Sequence, residues 1–329
     1  MEFDDDRKRD QKNYLKTFNW SATAMHRYLM ILFTILLLAP ICAPAGEVND
    51  SSDNRSTPET AGASQQQRRP FEFATSAERV SDSGIGDTDA SFAYSEVAAH
   101  FEMLFLFFNA DHRMYDWQKS ADFAPAADED PWDSLTRITP GLQYVKTFGR
   151  WGVWGEFACS AGFEDGITGD AWTYNPQLLG FYTANEDLTI YFGAGWLYHP
   201  VASLFYPVFG LAFRHEEKSG WAGAVGFPET MVRYWFTEKW AAKVDFVWDI
   251  RTYQLSDDNP VSPSGYLQLD EKIPGLYIEY CPQKDLTIGS GVRWHLDRTM
   301  TVFDRDEDEL DEHTVKAGLS AVLAVNFLF

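Results

Sequence analysis

The sequence predicts an all-β fold: a transmembrane antiparallel up-and-down β-barrel of about twelve strands, behind an N-terminal signal peptide and a disordered linker. Three observations predict it. Apolar and polar residues alternate over segments long enough to cross a bilayer. The connections between those segments alternate short and long. A leader near the N-terminus marks the chain for export.

The bulk composition sets the frame. The 329 residues suffice for one large barrel or two ordinary soluble domains. Aromatic residues make up 16% and hydrophobic residues 45%, yet 49 acidic side chains stand against 27 basic ones, a net charge of -22. So much charge beside so many rings implies two separate surfaces, one apolar and one wet. The acidity argues against nucleic acid as a partner, because phosphate binding needs clustered Lys and Arg. No segment supplies the ~18 or more uninterrupted apolar residues of a membrane helix.

The longest apolar run is Tyr28 to Ala45, with Arg27 just before it and Ala43-Pro44-Ala45 as small residues of a cleavage site. This predicts a secretory signal peptide over residues 1–45, removed before Gly46. Asp4, Asp5 and Asp6 are unusual ahead of such a run, so Met25 is a better start, with Met1 the alternative. Cys42 makes a poor lipid-attachment site, because Pro40 and Ile41 stand where small residues are needed. The exported chain keeps Cys159 and Cys281, which fall in distant strands and are read as free thiols. Residues 46–90 are rich in Ser, Asp, Gln, Thr and Glu and read as a disordered periplasmic linker.

The barrel is placed at residues 91–329. Its clearest strand is Leu286 to Leu296: Leu286, Ile288, Val292, Trp294 and Leu296 share one face, Thr287, Gly289, Gly291, Arg293 and His295 the other. Trp240 to Tyr253 and Val315 to Phe329 repeat the pattern. Such runs exceed the roughly 9–11 residues that a tilted strand needs to cross a bilayer. Strands are predicted at about 92–108, 135–148, 151–162, 174–184, 188–197, 206–215, 220–227, 229–237, 240–254, 272–282, 286–296 and 313–329.

Short turns are read at Gly149-Arg150, Asn185 to Asp187, Glu216 to Ser219, Glu238-Lys239 and Pro282 to Asp285. Long polar loops are read at Asn109 to Ser134, Phe163 to Thr173, Leu255 to Asp270 and Asp297 to Glu312, with lesser links near Tyr198 to Phe205 and at Phe227-Pro228. Every short turn then falls on the side that holds both chain ends. Bacterial outer-membrane barrels sort their connections this way, with tight periplasmic turns and wide external loops. Rings also gather near strand ends, as Phe148 with Trp151, Phe213 with Trp221 and Phe236 with Trp240, the positions of an interfacial girdle.

Alternation alone does not say whether the apolar face is a core or a lipid-facing surface. The polar faces hold Trp154, Tyr191 and Tyr277 with many glycines and charges, as a crowded lumen would. Val325, Phe327 and the final Phe329 share the apolar face, and this ending resembles the C-terminal recognition strand read by the barrel-assembly machinery. From about Ser91 the chain also resembles an uncharacterised family of exported outer-membrane β-barrel proteins. The run Gly226-Phe227-Pro228-Glu229-Thr230-Met231-Val232-Arg233-Tyr234 and the turn at Glu238-Lys239 carry that likeness. It implies a cell outer membrane address, with membrane lipid and the assembly machinery as partners, and no chemistry.

Lumen-facing charges are predicted at Glu96, Glu102, Arg137, Glu156, Arg214, Arg233, Lys243, Asp245, Asp249, Arg251, Glu279, Arg293 and Lys316, with His100 and His295. Two readings follow: a narrow hydrophilic pore with Arg233, Arg251 and Arg293 facing acids, or a closed ion-pair network that fills the barrel. The loop Asp304 to Glu312 packs seven carboxylates into nine residues and makes divalent cations candidate partners, though it lacks the pattern of an EF-hand. A solvated external loop is the plainer reading, and no metal centre or cofactor is assigned.

Catalysis is not expected. Ser160 and Ser290 lie in strands with no histidine at a matching place in a neighbouring one. His199, His215 and His313 are scattered, and neither a zinc HExxH nor a GxSxG elbow is present. The sequence therefore points to a passive channel for small polar solutes or an envelope-structural protein. A surface-binding barrel acting through acidic loops is second, and a phospholipase-like enzyme third.

Overall fold

The computed structural model describes residues 71–123, 130–185, 187–213 and 220–328. The expected signal peptide, residues 46–70 of the expected linker, Arg214 and Phe329 lie outside the described residues.

Fifteen strand segments follow in order: β1 Phe71–Gly84, β2 Ser91–Met103, β3 Leu106–Gln118, β4 Ser134–Phe148, β5 Trp151–Phe163, β6 Trp172–Asn185, β7 Leu188–His199, β8 Ala202–Phe213, β9 Gly220–Phe227, β10 Glu229–Thr237, β11 Trp240–Gln254, β12 Tyr266–Gln283, β13 Leu286–Phe303, β14 Glu309–Val315 and β15 Gly318–Leu328. Each pairs antiparallel with the next from β1 to β13. β13 pairs with β15 along its lower half and β14 along its upper half, and β15 pairs back onto β1. β14 and β15 thus act as one interrupted strand, and the ring closes with 14 strands in its wall. Closure leaves no free ladder along the seam, which is what hydrocarbon demands of a spanning sheet.

The two strands beyond the predicted twelve have physical causes. β1 lies in the segment read as linker, so the barrel begins at Phe71 rather than Ser91. Its composition is polar because Glu72 and Glu78 face inward, where Asn326 and Arg293 meet them, and β2 and β15 complete its hydrogen bonds on both sides. The segment predicted as one strand over 92–108 and a loop over 109–134 is a hairpin, β2 and β3, turning at Leu104-Phe105. That turn carries no polar or glycine signal. Leu104 takes a left-handed φ of 57°, rare for a bulky residue, and the apolar tip stands exposed at the rim. β12 and β13 also run further into their predicted loops, to 18 residues each.

The outer face is apolar. Val97, Leu142, Phe157, Phe192, Phe209, Val244, Ile278 and Leu323 are large, exposed and spread around the ring. A solvated exterior does not present such a belt; a bilayer-spanning barrel does. Phe148, Trp151, Trp221, Phe236 and Trp240 are exposed at the short-turn end.

On the side formed by β12 and β13 the belt ends at an exposed ion pair, Lys272 with Asp297 at 2.9 Å. Asp297 has a φ of 43°, and the register between β12 and β13 shifts there, the mark of a bulge. Above it, Arg298, Met300 and Val302 turn inward in place of the odd-numbered residues below.

The strands beyond the belt enclose a dry core. Val80, Phe92, Tyr94, Trp117, Trp132, Leu135, Tyr253, Leu267, Met300 and Val302 pack at the loop ends of β1–β4 and β11–β13. This cap seals the loop end of the barrel on that side.

Candidate functional site: the lumenal cavity and its charge network

Beneath the cap the lumen is crossed by ion pairs. Arg251 on β11 reaches strands on the far wall: its guanidinium lies 2.9 Å from Glu96 of β2 and 3.0 Å from Asp111 of β3, and its Nε donates to Asp249 at 2.5 Å. Arg137 on β4 holds Asp111 at 2.9 Å and approaches Asp249 at 3.6 Å. Arg113 donates to Glu96 at 2.6 Å and lies 3.5 Å from Glu271, which Arg298 also holds at 2.8 Å. Charges out of water need this many partners, because one unpaired buried ion is costly.

A second group lies nearer β13. Arg293 contacts Glu78 at 2.9 Å and donates to the Tyr277 hydroxyl, over whose ring the Lys243 ammonium sits at 3.9 Å. Arg233 chelates Glu279, and Lys243 lies 3.3 Å from Asp245.

The structure turns Glu102, Arg137, Glu156, Arg233, Asp245, Asp249, Arg251, Glu279 and Arg293 to the interior. Lys316 stands elsewhere: it is exposed at the break between β14 and β15, against Gly84. The correction is local, since that break interrupts the alternation from which its direction was read. Val325 and Phe327 lie on β15, paired with Thr75 and Phe73 of β1. Asp111 and Arg113, central to the network, sat in the segment read as a loop. Their alternation with Ala110 and His112 was the available signal.

A further group went unread in the sequence. Ser320, His295 and Glu78 converge: Ser320 donates to the Glu78 carboxylate at 2.5 Å, and His295 Nε2 lies 2.9 Å from the same oxygen and 3.3 Å from the Ser320 hydroxyl. All three are buried, and the hydroxyl proton is directed at a carboxylate rather than the imidazole. This is a packing contact with the residue types of a hydrolase and not its geometry.

Among the described residues a cavity of about 580 Å³ lies inside the wall. Glu156, Ser160, Thr173, Asn175, Gln177 and Glu229 supply much of its polar lining, with Leu197, Leu204 and Tyr206 beside them. It also reaches the charge network, where Glu96, Asp111, Arg137, Asp249 and Arg251 line it, and at the loop end β5 crosses to β11. Phe163 pairs with Gln254, and the Glu164 N–H donates to the Gln254 carbonyl at 3.0 Å. Gly162 permits the approach: a Cβ there would fall on the Thr252 carbonyl oxygen. In the loop beyond, the Glu164 carboxylate accepts from the Ser256 N–H at 2.8 Å and Asn259 Nδ2 at 2.9 Å; burial pushes its pKa up despite these bonds. Beyond the pinch, His199 at the end of β7 packs on Tyr266 of β12 at 5.3 Å.

At the acidic loop, Asp304 Oδ1 accepts the backbone N–H groups of Asp306 and Asp308, both at 2.9 Å. Among the described residues no group of three or more His, Cys, Asp or Glu side chains converges as a metal site.

No family model and no curated protein matches the chain. Solved structures similar to it include the KdgM porin, 8% identical over 78% of this chain and 99% of that one, with a TM-score of 0.33. An outer membrane channel from Pseudomonas putida F1 is 7% identical over 83% and 100%, at 0.40. The outer membrane protease OmpT of Escherichia coli is 8% identical over 82% and 100%, at 0.26. Likenesses this distant add no argument about site or activity. The barrel is established by the chain's own closed strand ladder and apolar outer face.

Proposed function

We propose that the protein is an outer-membrane barrel that lets small polar solutes move passively through its lumen. The observation that carries this reading is the cavity of about 580 Å³ left unfilled beside an otherwise heavily cross-braced interior. Its lining mixes amides, hydroxyls and carboxylates with the cations Arg137, Lys243, Arg251 and Arg293, groups that exchange hydrogen bonds with passing polar solutes. The turn sorting supports the address, with tight connections at the end that carries both ends of the barrel.

Proteoliposome swelling tests the reading. The full chain should admit a pentose or a small amino acid, and Gln177→Trp, which fills the cavity, should slow it. Absence of swelling with any small solute contradicts the channel.

Surface binding through the acidic loops is the second reading, favoured by the exposure of Glu309 to Glu312 on β14 beyond the belt. Deleting residues 304–308 should then abolish partner binding and leave solute entry unchanged.

A further inference from the structure

The inward charges of the described wall do not cancel. Each inward Arg and Lys stands in an ion pair, Arg293 with Glu78 and Arg233 with Glu279 among them. Some inward acids have no such partner. Glu156 on β5 and Glu229 on β10 have neither a cation nor a hydrogen-bond donor beside them among the described residues. The register neighbours of Glu156 are the amides Gln143 and Gln177. Glu102 meets only His100, at 3.9 Å, and Glu72 only the Asn326 amide, at 2.7 Å.

These four acids form a line. Glu72 and Glu102 are register partners on β1 and β2 at the short-turn end. Glu156 lies within electrostatic reach of Glu102 on one side and Glu229 on the other. Glu156 and Glu229 then line the cavity itself. A carboxylate that faces a cavity without a protein partner is met by water or by a mobile cation. Low-dielectric walls focus the field of such a row and raise the local concentration of cations.

The rest of the lining narrows the kind of cation. Leu197, Leu204 and Tyr206 put apolar surface beside the two carboxylates, and Asn175 and Gln177 add amides. A hard metal ion needs several oxygens at once, and among the described residues no three His, Cys, Asp or Glu side chains converge to hold one. Separate carboxylates with apolar wall between them match ammonium groups joined by a short alkyl chain.

We propose that the lumen selects cations and that its solutes are short aliphatic diamines, guided by Glu72, Glu102, Glu156 and Glu229. This rests on the reading of the lumen as a solute path and names the solute class for it. The ammonium groups exchange water for carboxylates along the line, and the methylenes pass along Leu204 and Tyr206.

The test uses the full chain in liposomes and compares tracer exchange of 1,4-diaminobutane and succinate, which share a chain length and differ in charge. Each solute is held at equal concentration inside and out, so no net charge moves, and protein-free liposomes give the baseline. Diaminobutane should exchange about tenfold faster or more, the low end of what a focused field supplies. In Glu156→Gln/Glu229→Gln that ratio should fall about threefold or more while pentose swelling is unchanged. An arm without a variant raises sodium chloride from about 0.1 M to about 1 M, which shortens the screening length from about 10 Å to about 3 Å; the ratio should fall there too. Equal exchange of the two solutes, or faster succinate, would overturn the proposal, as would a ratio that neither the variant nor salt moves. Pentose swelling without a preference for diaminobutane removes the cation selection and keeps the channel. Absence of both swelling and exchange contradicts the channel itself.

Discussion

The tall side of the barrel, β11–β14 with β1–β4, and its low side, β6–β10, handle the same problem in opposite ways. On the tall side the strands rise past the apolar belt, and the space they enclose is filled, first by Arg251, Arg137 and Arg113 among carboxylates, then by the dry cluster around Trp132 and Leu267. On the low side the β9–β10 hairpin is short, Glu156 and Glu229 have no ion-pair partner among the described residues, and both line the cavity that continues to Arg251 and Arg137. The difference teaches that bracing is uneven around one wall: the ion pairs of Arg251, Arg137 and Arg113 concentrate on one arc, and the cavity they border extends to an arc with fewer of them.

The largest break in this contrast is expected from Arg251→Met. It leaves Glu96, Asp111 and Asp249 facing one another without their shared cation, a loss of about 3–5 kcal/mol, read as a lowered urea midpoint in detergent. On the low side Glu156→Gln should stay within ~0.5 kcal/mol of the unaltered chain. Equal losses would erase the contrast.

Next comes the cap. Leu267 is fully buried in it, so Leu267→Ala should cost about 2–4 kcal/mol through lost burial and the hole left behind. Leu204→Ala, at the cavity wall, should cost less than about 1 kcal/mol, since no closed core surrounds it. Paired thermal unfolding scans compare the two.

A smaller effect, of about 1–3 kcal/mol, is expected from Gly162→Ala, because the added methyl must push β5 off the Thr252 carbonyl. Swelling rates should rise in this variant as the pinch between the two sides loosens. An unchanged rate would mean that the pinch does not limit the path. Least of all is expected from Arg79→Ala. Its partner Asp116 lies 3.4 Å away with both side chains well exposed, so the change should remain under ~0.5 kcal/mol in a double-mutant cycle.

Much of the wall was legible in the sequence because lipid enforces alternation residue by residue. β11 and β13 show it plainly, with Trp240, Val244, Ile288 and Trp294 outward and charges between them. β1 was hidden because its inward side is Glu and Ser and its outward side carries Thr75, Ala77 and Arg79, a pattern that reads as solvated chain when the partners β2 and β15 are not in view. The Leu104-Phe105 turn was hidden because at an apolar rim a turn need not be polar. The charge network was half legible: Arg251 and Asp249 were placed inward, but their counterparts Asp111 and Arg113 come from the far wall, and pairing across a lumen leaves no trace in local spacing. The short β9–β10 hairpin did leave one. The predicted strands at 220–227 and 229–237 were already the shortest, and the Phe227 link barely long, as a hairpin that stops below its neighbours requires.

The central claim is that a closed ring of strands turns its oily side to hydrocarbon, and gel migration of the chain extracted from membranes tests it most directly. Left unboiled, the closed barrel should resist detergent and run faster than the same sample boiled. Identical migration in both lanes, from a chain that also stays monomeric in buffer without detergent, would contradict the account.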